Sequence, residues 1–114
     1  MRVVPWTNST PGSSSGTLAS PVSAEVAANV TKMMIAVVQR GTGTTAQIPG
    51  VVVAGKTGTA TNPLGASHSW FVAFAPAGKP RVAVAVVVEN GGYGADAALP
   101  IAREVLRTAL SQSP

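Results

Sequence analysis

The chain has 114 residues, which is enough for one domain and too few for two. Eight Lys and Arg residues against four Asp and Glu give a net charge of +4, but the basic residues are scattered and lack the runs or interleaved aromatic residues of a nucleic-acid surface. We therefore expect no nucleic-acid partner. The absence of cysteine excludes a disulfide framework, a thiolate nucleophile and a Cys-based zinc site. The single His and the four acidic residues do not cluster at ligand spacing, so we also expect no metal.

Residues 1–22 are predicted to form a loop or a poorly ordered arm, because residues 7–21 are rich in Ser, Thr, Gly and Pro. The longest purely apolar run, residues 82–88, is far shorter than a membrane span, and the N-terminus lacks the apolar core of a signal peptide. We therefore expect no targeting or membrane segment in this chain.

A helix is predicted over residues 23–40, at the start of a domain that we expect to cover residues 23–114. Apolar residues recur there at helical spacing and form one stripe: Val26, Val30, Met33, Met34, Val37 and Val38. Ser23 is a suitable N-cap, and Gly41 is a suitable C-terminal stop. The two methionines are interpreted as core residues rather than as ligands.

Three strands are predicted after a turn-rich connector at residues 41–50. The first is a β-branched run that either stops at Gly55 or continues into Lys-Thr-Gly-Thr, and the second ends at Pro76. A tight reversal joins the second strand to the third, which has the clearest strand pattern in the chain. The strands are placed at residues 51–54, 69–75 and 81–89, with loops at residues 61–67 and 89–96.

A second helix is predicted from Asp96 or Ala97 to about Ser111, with Pro100 tolerated because it lies near the helix start. The order is then helix, strand, strand, strand, helix, with two neighbouring strands joined by a short turn. This order favours an α+β fold in which an antiparallel sheet is covered by helices.

The stretch GVVVAGKTGTA, residues 50–60, fits two incompatible descriptions. Gly50, Gly55, Lys56 and Thr57 match the phosphate-binding loop pattern, which requires a buried strand before it and a helix after it. A proline precedes the motif, and glycine and proline follow it, so neither element is expected. The Val-Val-Val-Ala run favours extended backbone, which makes a nucleotide site the least favoured interpretation.

As a strand, the same residues can build an acyl-transfer site. Lys56 supplies a fixed positive charge, and the hydroxyls of Thr57 and Thr59 can hydrogen-bond a substrate carboxylate. Gly58 removes a side chain where a substrate approaches the backbone. Backbone N–H groups at a strand edge can also stabilise a developing oxyanion.

Further segments accompany this strand in a fixed order. They are GTG (41–43), Ala46, GVVVAGKTGTA (50–60), HSWFVAFAP (68–76), VAVAVVVENGG (82–92) and AALPIAREVL (97–106). Together they closely resemble the C-terminal part of the transpeptidase domain of class B penicillin-binding proteins, over about residues 23–112.

The resemblance implies a penicillin-binding-protein and β-lactamase-like transpeptidase fold, here incomplete, with three strands of a larger five-stranded sheet. It also implies a serine D,D-transpeptidase that cross-links peptidoglycan and needs no cofactor. Lys56 and Thr59 would be catalytic, Lys56 beside the active-site serines and Thr59 through its backbone N–H as an oxyanion donor. Thr57, Gly58 and Thr59 would bind the substrate, the two hydroxyls by contacting its carboxylate.

His68 precedes the second strand, as a His often does in this family. No carboxylate lies near it in sequence to orient it, so we expect it to lie at the surface or to tether a loop rather than to act in catalysis. Trp70 and Phe71 are interpreted as core and rim packing.

Two other motifs of the family, Ser-x-x-Lys and Ser-x-Asn, do not occur in the sequence. We therefore expect this chain to be a fragment or one piece of a nicked protein, which alone forms no acyl-enzyme because it lacks the nucleophile. The remaining part of the same domain would be its partner and would pair with the strand at residues 81–89.

The ligands implied by the resemblance are the acyl-D-Ala-D-Ala stem peptide of peptidoglycan and the β-lactams. The implied location of the parent protein is the extracytoplasmic face of the bacterial cell membrane. A non-catalytic relative, such as a penicillin-binding sensor domain, is the alternative interpretation. Both would carry the Lys-Thr-Gly strand, so this strand alone does not separate them.

Overall fold

A computed structural model describes residues 20–112 of the chain. Residues 1–19 of the predicted N-terminal arm lie outside the described residues, as do residues 113–114 of the predicted domain. The elements follow the predicted order, with one additional 3₁₀ turn, Thr44–Ala46, after the first helix. They are α1 (Ala24–Arg40), β1 (Ala54–Ala60), β2 (His68–Ala75), β3 (Val82–Val88) and α2 (Ala98–Gln112).

The ends of α1 are closed by the residues that the sequence predicted for them. The Ser23 side chain accepts a hydrogen bond from the Val26 N–H at 3.2 Å, and Gly41 N donates to the Val37 carbonyl O at 3.0 Å. Gln47 adds a further closure, because its Nε2 donates to the carbonyl O of residue 38 at 3.0 Å. The last carbonyls of the helix therefore find partners in the connector that follows it.

The three strands form one antiparallel sheet in the order β1–β2–β3, which confirms the predicted α+β class. Thr57 of β1, Phe71 of β2 and Val86 of β3 lie opposite one another across the sheet. Since side chains alternate along a strand, these three residues face the same side.

The first strand differs most from its predicted bounds, while the other predicted bounds agree within two residues. β1 begins at Ala54 rather than at residue 51, and it continues through Lys-Thr-Gly-Thr. The residues before it have other partners. Val51 forms an isolated bridge with Ile48, and the Val52 carbonyl O accepts a hydrogen bond from the Ala77 N–H at 2.8 Å.

The hydrophobic core lies between one face of the sheet and α2. Phe71 and Val86 contribute the sheet side of this core, and Leu99 and Leu106 contribute the helix side. Phe71, Leu99 and Leu106 are among the largest fully buried side chains. Burying one side chain of this size stabilises the fold by about 1.5–3 kcal/mol. The predicted packing of a helix on the sheet is therefore found at α2.

The exposed side of α2 carries an ion pair between Arg107 and Glu104. The hydrogen bond from Arg107 lowers the pKa of the Glu104 carboxyl and raises the pKa of the Arg107 guanidinium. Because water surrounds both groups, the pair adds little to stability.

The opposite face of the sheet is only partly covered, because α1 packs against β1 and leaves the middle of the sheet open. Val26, Val30 and Met33 of the predicted stripe are exposed, and so are Trp70 and Val72 of β2. We call these five side chains the uncovered apolar residues. The interpretation of Met33 as a core residue is wrong, since 61% of its surface is accessible.

Both outer edges of the sheet are open within the part of the chain that the structure describes, since no strand pairs with β1 or β3 on its outer side. An open, valine-rich edge such as that of β3 is a template for pairing with another chain. The uncovered apolar residues add a second surface that favours association.

We predict that the isolated chain self-associates at roughly micromolar concentrations through these open surfaces. Ala85→Lys places a charge on the exposed face of β3, so we expect it to shift the population towards monomer in sedimentation-velocity experiments. Ala66→Lys, in the exposed β1–β2 loop, is the matched control and should leave the association unchanged. A monomeric wild-type chain with a cooperative thermal unfolding transition would contradict the prediction.

Candidate active site on the edge strand

Lys56, Thr57, Gly58 and Thr59 lie within β1 and not in a loop. The residues after this strand, 61–67, form a loop that leads into β2, so no helix follows the motif. A phosphate-binding loop requires such a helix, because the N–H groups at its N-terminus hold the phosphates. The structure therefore contradicts the nucleotide interpretation and agrees with the strand.

Alternation along β1 divides the four residues between the two sides of the sheet. Thr57 and Thr59 share the side of Phe71, whereas Lys56 and Gly58 face the opposite side. The Lys56 side chain nevertheless stays close to the strand, since its Nζ donates to the Thr57 carbonyl O at 2.6 Å. A positive charge is thereby held beside the backbone that carries both threonines.

Thr57 is buried, with 8% of its surface accessible, and its hydroxyl lies against the connector between α1 and β1. The Oγ1 atoms of Thr57 and Thr42 are 2.8 Å apart, and either hydroxyl can donate. Thr42 itself is exposed. The connector therefore contributes a polar group next to the Lys-Thr-Gly strand.

Thr59 is exposed and is held by the loop between β3 and α2. Its Oγ1 accepts a hydrogen bond from the Gly94 N–H at 3.1 Å. Because an N–H group can only donate, the hydroxyl proton of Thr59 is left for another acceptor. The oxygens of a carboxylate only accept hydrogen bonds, so a carboxylate ligand can bind the Thr59 hydroxyl only through this free proton.

Gly94 is in direct contact with the backbones of β1 and β2. A Cβ atom at this position would lie 2.5 Å from the Gly58 carbonyl O and 2.7 Å from the Trp70 carbonyl O. Both distances are well below van der Waals contact, so a residue with a side chain fits here only if the backbone shifts. The loop that holds Thr59 therefore lies directly on the sheet.

Ser69 fixes the same loop from β2. Its side chain is completely buried; the hydroxyl donates to the Tyr93 carbonyl O at 3.0 Å and accepts from the Ala98 N–H at 2.9 Å. One hydroxyl thus binds both the loop and the first residue of α2. A buried polar group with both bonds made is stable in the core.

A second set of hydrogen bonds joins the β1–β2 loop to the β3–α2 loop. Asn90 N donates to His68 Nδ1 at 3.0 Å, and Asn62 Nδ2 donates to Asn90 Oδ1 at 2.7 Å. Gly92 N donates to the Ser67 carbonyl O at 2.8 Å. The prediction that His68 tethers a loop is therefore confirmed.

The two neighbouring aromatic residues of β2 have different surroundings. Phe71 is a core residue, as predicted, with 1% of its surface accessible. Trp70 is 41% exposed and pairs with Gly58, so it lies at the rim of the candidate site. Its position agrees with rim packing.

The sequence did not reveal three residues that surround this site, namely Thr42, Ser69 and Gly94. Ser69 leaves a local signal, because a hydroxyl occupies a core-facing position of β2 two residues before Phe71. Thr42 lies within the GTG segment of the resemblance, but neither its contact nor that of Gly94 could be foreseen, since these contacts join residues 15 and 35 positions apart in sequence. Such contacts follow from the tertiary fold and not from periodicity.

Comparison with known proteins identifies similar sequences over most of the chain. The model of the family described as "Penicillin binding protein transpeptidase domain" matches residues 17–107. The chain is 44% identical over 102 residues to the peptidoglycan D,D-transpeptidase PbpA of Mycobacterium tuberculosis. This alignment covers 82% of the chain and 21% of PbpA. It is also 44% identical over 80 residues to the peptidoglycan D,D-transpeptidase MrdA of Acinetobacter baumannii, covering 57% of this chain and 12% of the relative.

Solved structures show the same fold. The imipenem acyl-enzyme complex of penicillin-binding protein A from M. tuberculosis matches with a TM-score of 0.70 and 46% identity, over 78% of this chain and 20% of that chain. The transpeptidase domain of the FtsI4 D,D-transpeptidase from Legionella pneumophila matches with a TM-score of 0.69 and 35% identity, over 78% and 37% of the two chains. The described residues therefore adopt the predicted type of fold.

We predict that Gly94→Ala loosens the β3–α2 loop, because the added methyl group collides with two carbonyl oxygens. In a chimera in which this chain replaces the matching segment of PbpA from M. tuberculosis, the expected loss of stability in urea unfolding is about 1–3 kcal/mol, the usual cost of overpacking. Amide exchange of the loop should also become faster. Gly78→Ala is the matched control, since nothing lies within 4 Å of its added Cβ, and no change in either measurement is expected. Equal behaviour of the two variants would show that the close contact at Gly94 does not hold the loop.

Proposed function

This chain belongs to the penicillin-binding protein family of transpeptidase domains, and from that premise we propose that it forms part of a peptidoglycan D,D-transpeptidase. The enzyme cross-links stem peptides through a serine acyl-enzyme and also binds penicillin. The observation that carries the proposal is the open edge strand β1, where residues 56–59 are held in place by two other segments of the chain.

Lys56 supplies the positive charge of the proposed site. Its ammonium group draws in the substrate carboxylate and tunes proton transfer at the active-site serines. The hydrogen bond from its Nζ to the Thr57 carbonyl O supports this role, because it keeps the charge at the strand although the side chain is exposed.

Thr57 and Thr59 bind the carboxylate of the acyl-D-Ala-D-Ala stem peptide, or of a β-lactam, through their hydroxyls. The Gly94 N–H occupies a lone pair of Thr59 and leaves its proton for the ligand, which supports the role of Thr59 most directly. Gly58 leaves room for the substrate to lie along β1. The backbone N–H of Thr59 is one of the two oxyanion donors in this proposal.

The nucleophile of the reaction comes from residues outside this sequence, which contains neither Ser-x-x-Lys nor Ser-x-Asn. The chain spans 21% of the length of the mycobacterial transpeptidase PbpA, which leaves most of that protein's residues without a counterpart here. We therefore propose that the chain alone is inactive and acts together with the remaining part of its own domain.

The remaining part of the domain packs, in this proposal, on the surfaces that the structure leaves open. These are the outer edge of β3 and the uncovered apolar residues. An added strand would satisfy the free N–H and C=O groups of the β3 edge, and an apolar surface would cover the exposed valines of α1.

The proposed location of the parent protein is the extracytoplasmic face of the bacterial cell membrane, where its peptidoglycan substrate lies. Within residues 20–112, neither helix combines the length and the apolar character needed to cross a bilayer.

We predict that a fluorescent penicillin does not label the isolated chain, because the chain has no nucleophile to acylate. The positive control is a chimera in which this chain replaces the matching segment of PbpA from M. tuberculosis. We expect the fluorescent penicillin to label this chimera stoichiometrically. In the chimera, Lys56→Ala should slow acylation at least about a hundredfold, since a positioned proton-transfer group typically contributes that much. Labelling is read on denaturing gels over time.

Lys79→Ala is the matched control, because Lys79 is an exposed lysine in the β2–β3 turn and should not affect acylation. Labelling of the isolated chain, or a folded chimera that stays unlabelled, would contradict the proposal. A chimera that is acylated but cannot cross-link stem peptides would instead favour the non-catalytic sensor.

A further inference from the structure

We infer that Thr42 is a positioning residue of the carboxylate-binding site, which holds the Thr57 hydroxyl so that its proton is directed at the substrate carboxylate. The inference rests on the proposed function and extends the site from β1 to the connector after α1. The observation behind it is the 2.8 Å separation of the two Oγ1 atoms.

The connector holds Thr42 firmly from both sides. Gly41 N and Gly43 N both donate to the Val37 carbonyl O, each at 3.0 Å. Gly43 is buried, so this part of the connector is anchored to the C-terminal end of α1. The helix end therefore fixes the backbone on both sides of Thr42.

The direction of the hydrogen bond follows from the ligand. A carboxylate oxygen only accepts, so Thr57 must donate its single proton to the ligand when the ligand is bound. The lone pairs of Thr57 are then the acceptors available to the Thr42 hydroxyl, and Thr42 becomes the donor of the pair. Without Thr42, the Thr57 proton can rotate away from the ligand.

Burial makes this partner difficult to replace. Only 8% of the surface of Thr57 is accessible, so few other groups can take the place of Thr42 beside it. A buried hydroxyl that loses its partner keeps an unsatisfied acceptor or turns its proton inward to another group. Either outcome weakens its bond to a carboxylate.

The hydroxyl of Thr59, like that of Thr57, has a hydrogen-bond donor from a neighbouring segment. It accepts from the Gly94 N–H at 3.1 Å, which leaves its proton for the ligand. The two threonines of β1 thus each have a donor from a neighbouring segment, a backbone amide for Thr59 and a side-chain hydroxyl for Thr57. Only the second donor can be removed by a single substitution that leaves the backbone intact.

The test uses the whole chain in the chimera with PbpA from M. tuberculosis, with penicillin G and its methyl ester as the two probes. Thr42→Val is expected to slow acylation by penicillin G about tenfold, the effect of weakening one hydrogen bond to a charged group. Acylation by the ester, which has no carboxylate, should change less than about twofold between wild type and variant. Thr42→Ser should restore the rate with penicillin G, because it restores the hydroxyl.

Thr45→Val is the matched control, since Thr45 is an exposed threonine of the same connector. Thr42→Ala removes the hydroxyl without adding bulk and serves if Thr42→Val does not fold, with folding followed by thermal melting. Equal losses with both probes, no loss at all, or no rescue by Thr42→Ser would overturn the positioning role while the proposed function stands. A folded wild-type chimera that penicillin G does not acylate would overturn the proposed function and this inference together.

Discussion

The contact of Gly94 with the paired backbones of Gly58 and Trp70 is the constraint on which the candidate site depends. A Cβ atom at position 94 would lie only 2.5 and 2.7 Å from carbonyl oxygens of the two strands. Because glycine has no Cβ, the β3–α2 loop can lie directly on the sheet. This approach brings the Gly94 N–H to the Thr59 hydroxyl, and it lets Ser69 bind both the loop and the start of α2. One close approach therefore fixes a loop, a helix start and a hydroxyl of the site.

An edge strand that binds a substrate must keep its outer side open while its side chains stay ordered. In this chain the order comes from neighbouring segments: the connector after α1 approaches Thr57, and the β3–α2 loop approaches Thr59. The same openness has a cost elsewhere, because the outer edge of β3 and the sheet face that carries the uncovered apolar residues have no cover within residues 20–112. The function that we propose and the self-association that we expect in isolation therefore have one origin, a sheet with open edges and a partly uncovered face.

Much of the fold could be predicted from local patterns, because caps, turns and alternation are encoded in short stretches of sequence. Ser23 and Gly41 cap α1 as predicted, and the strand through Lys56 is one of the two outcomes that the sequence left open after the β-branched run. The start of β1 could not be predicted, since Val51 has a local bridge partner instead of a place in the sheet. The exposure of Met33 also escaped prediction, because periodicity shows that a helix has an apolar side but not what covers it.

We propose that β1 receives the carboxylate of an acyl-transfer substrate through hydroxyls whose protons the surrounding chain directs. The most direct measurement is a crystal structure of the penicillin G acyl-enzyme of the chimera with PbpA. We expect a carboxylate oxygen within hydrogen-bond distance of Thr59 Oγ1, with the Gly94–Thr59 and Thr42–Thr57 bonds retained. A carboxylate bound away from β1, or a Thr59 hydroxyl that donates to a protein carbonyl instead, would contradict this proposal.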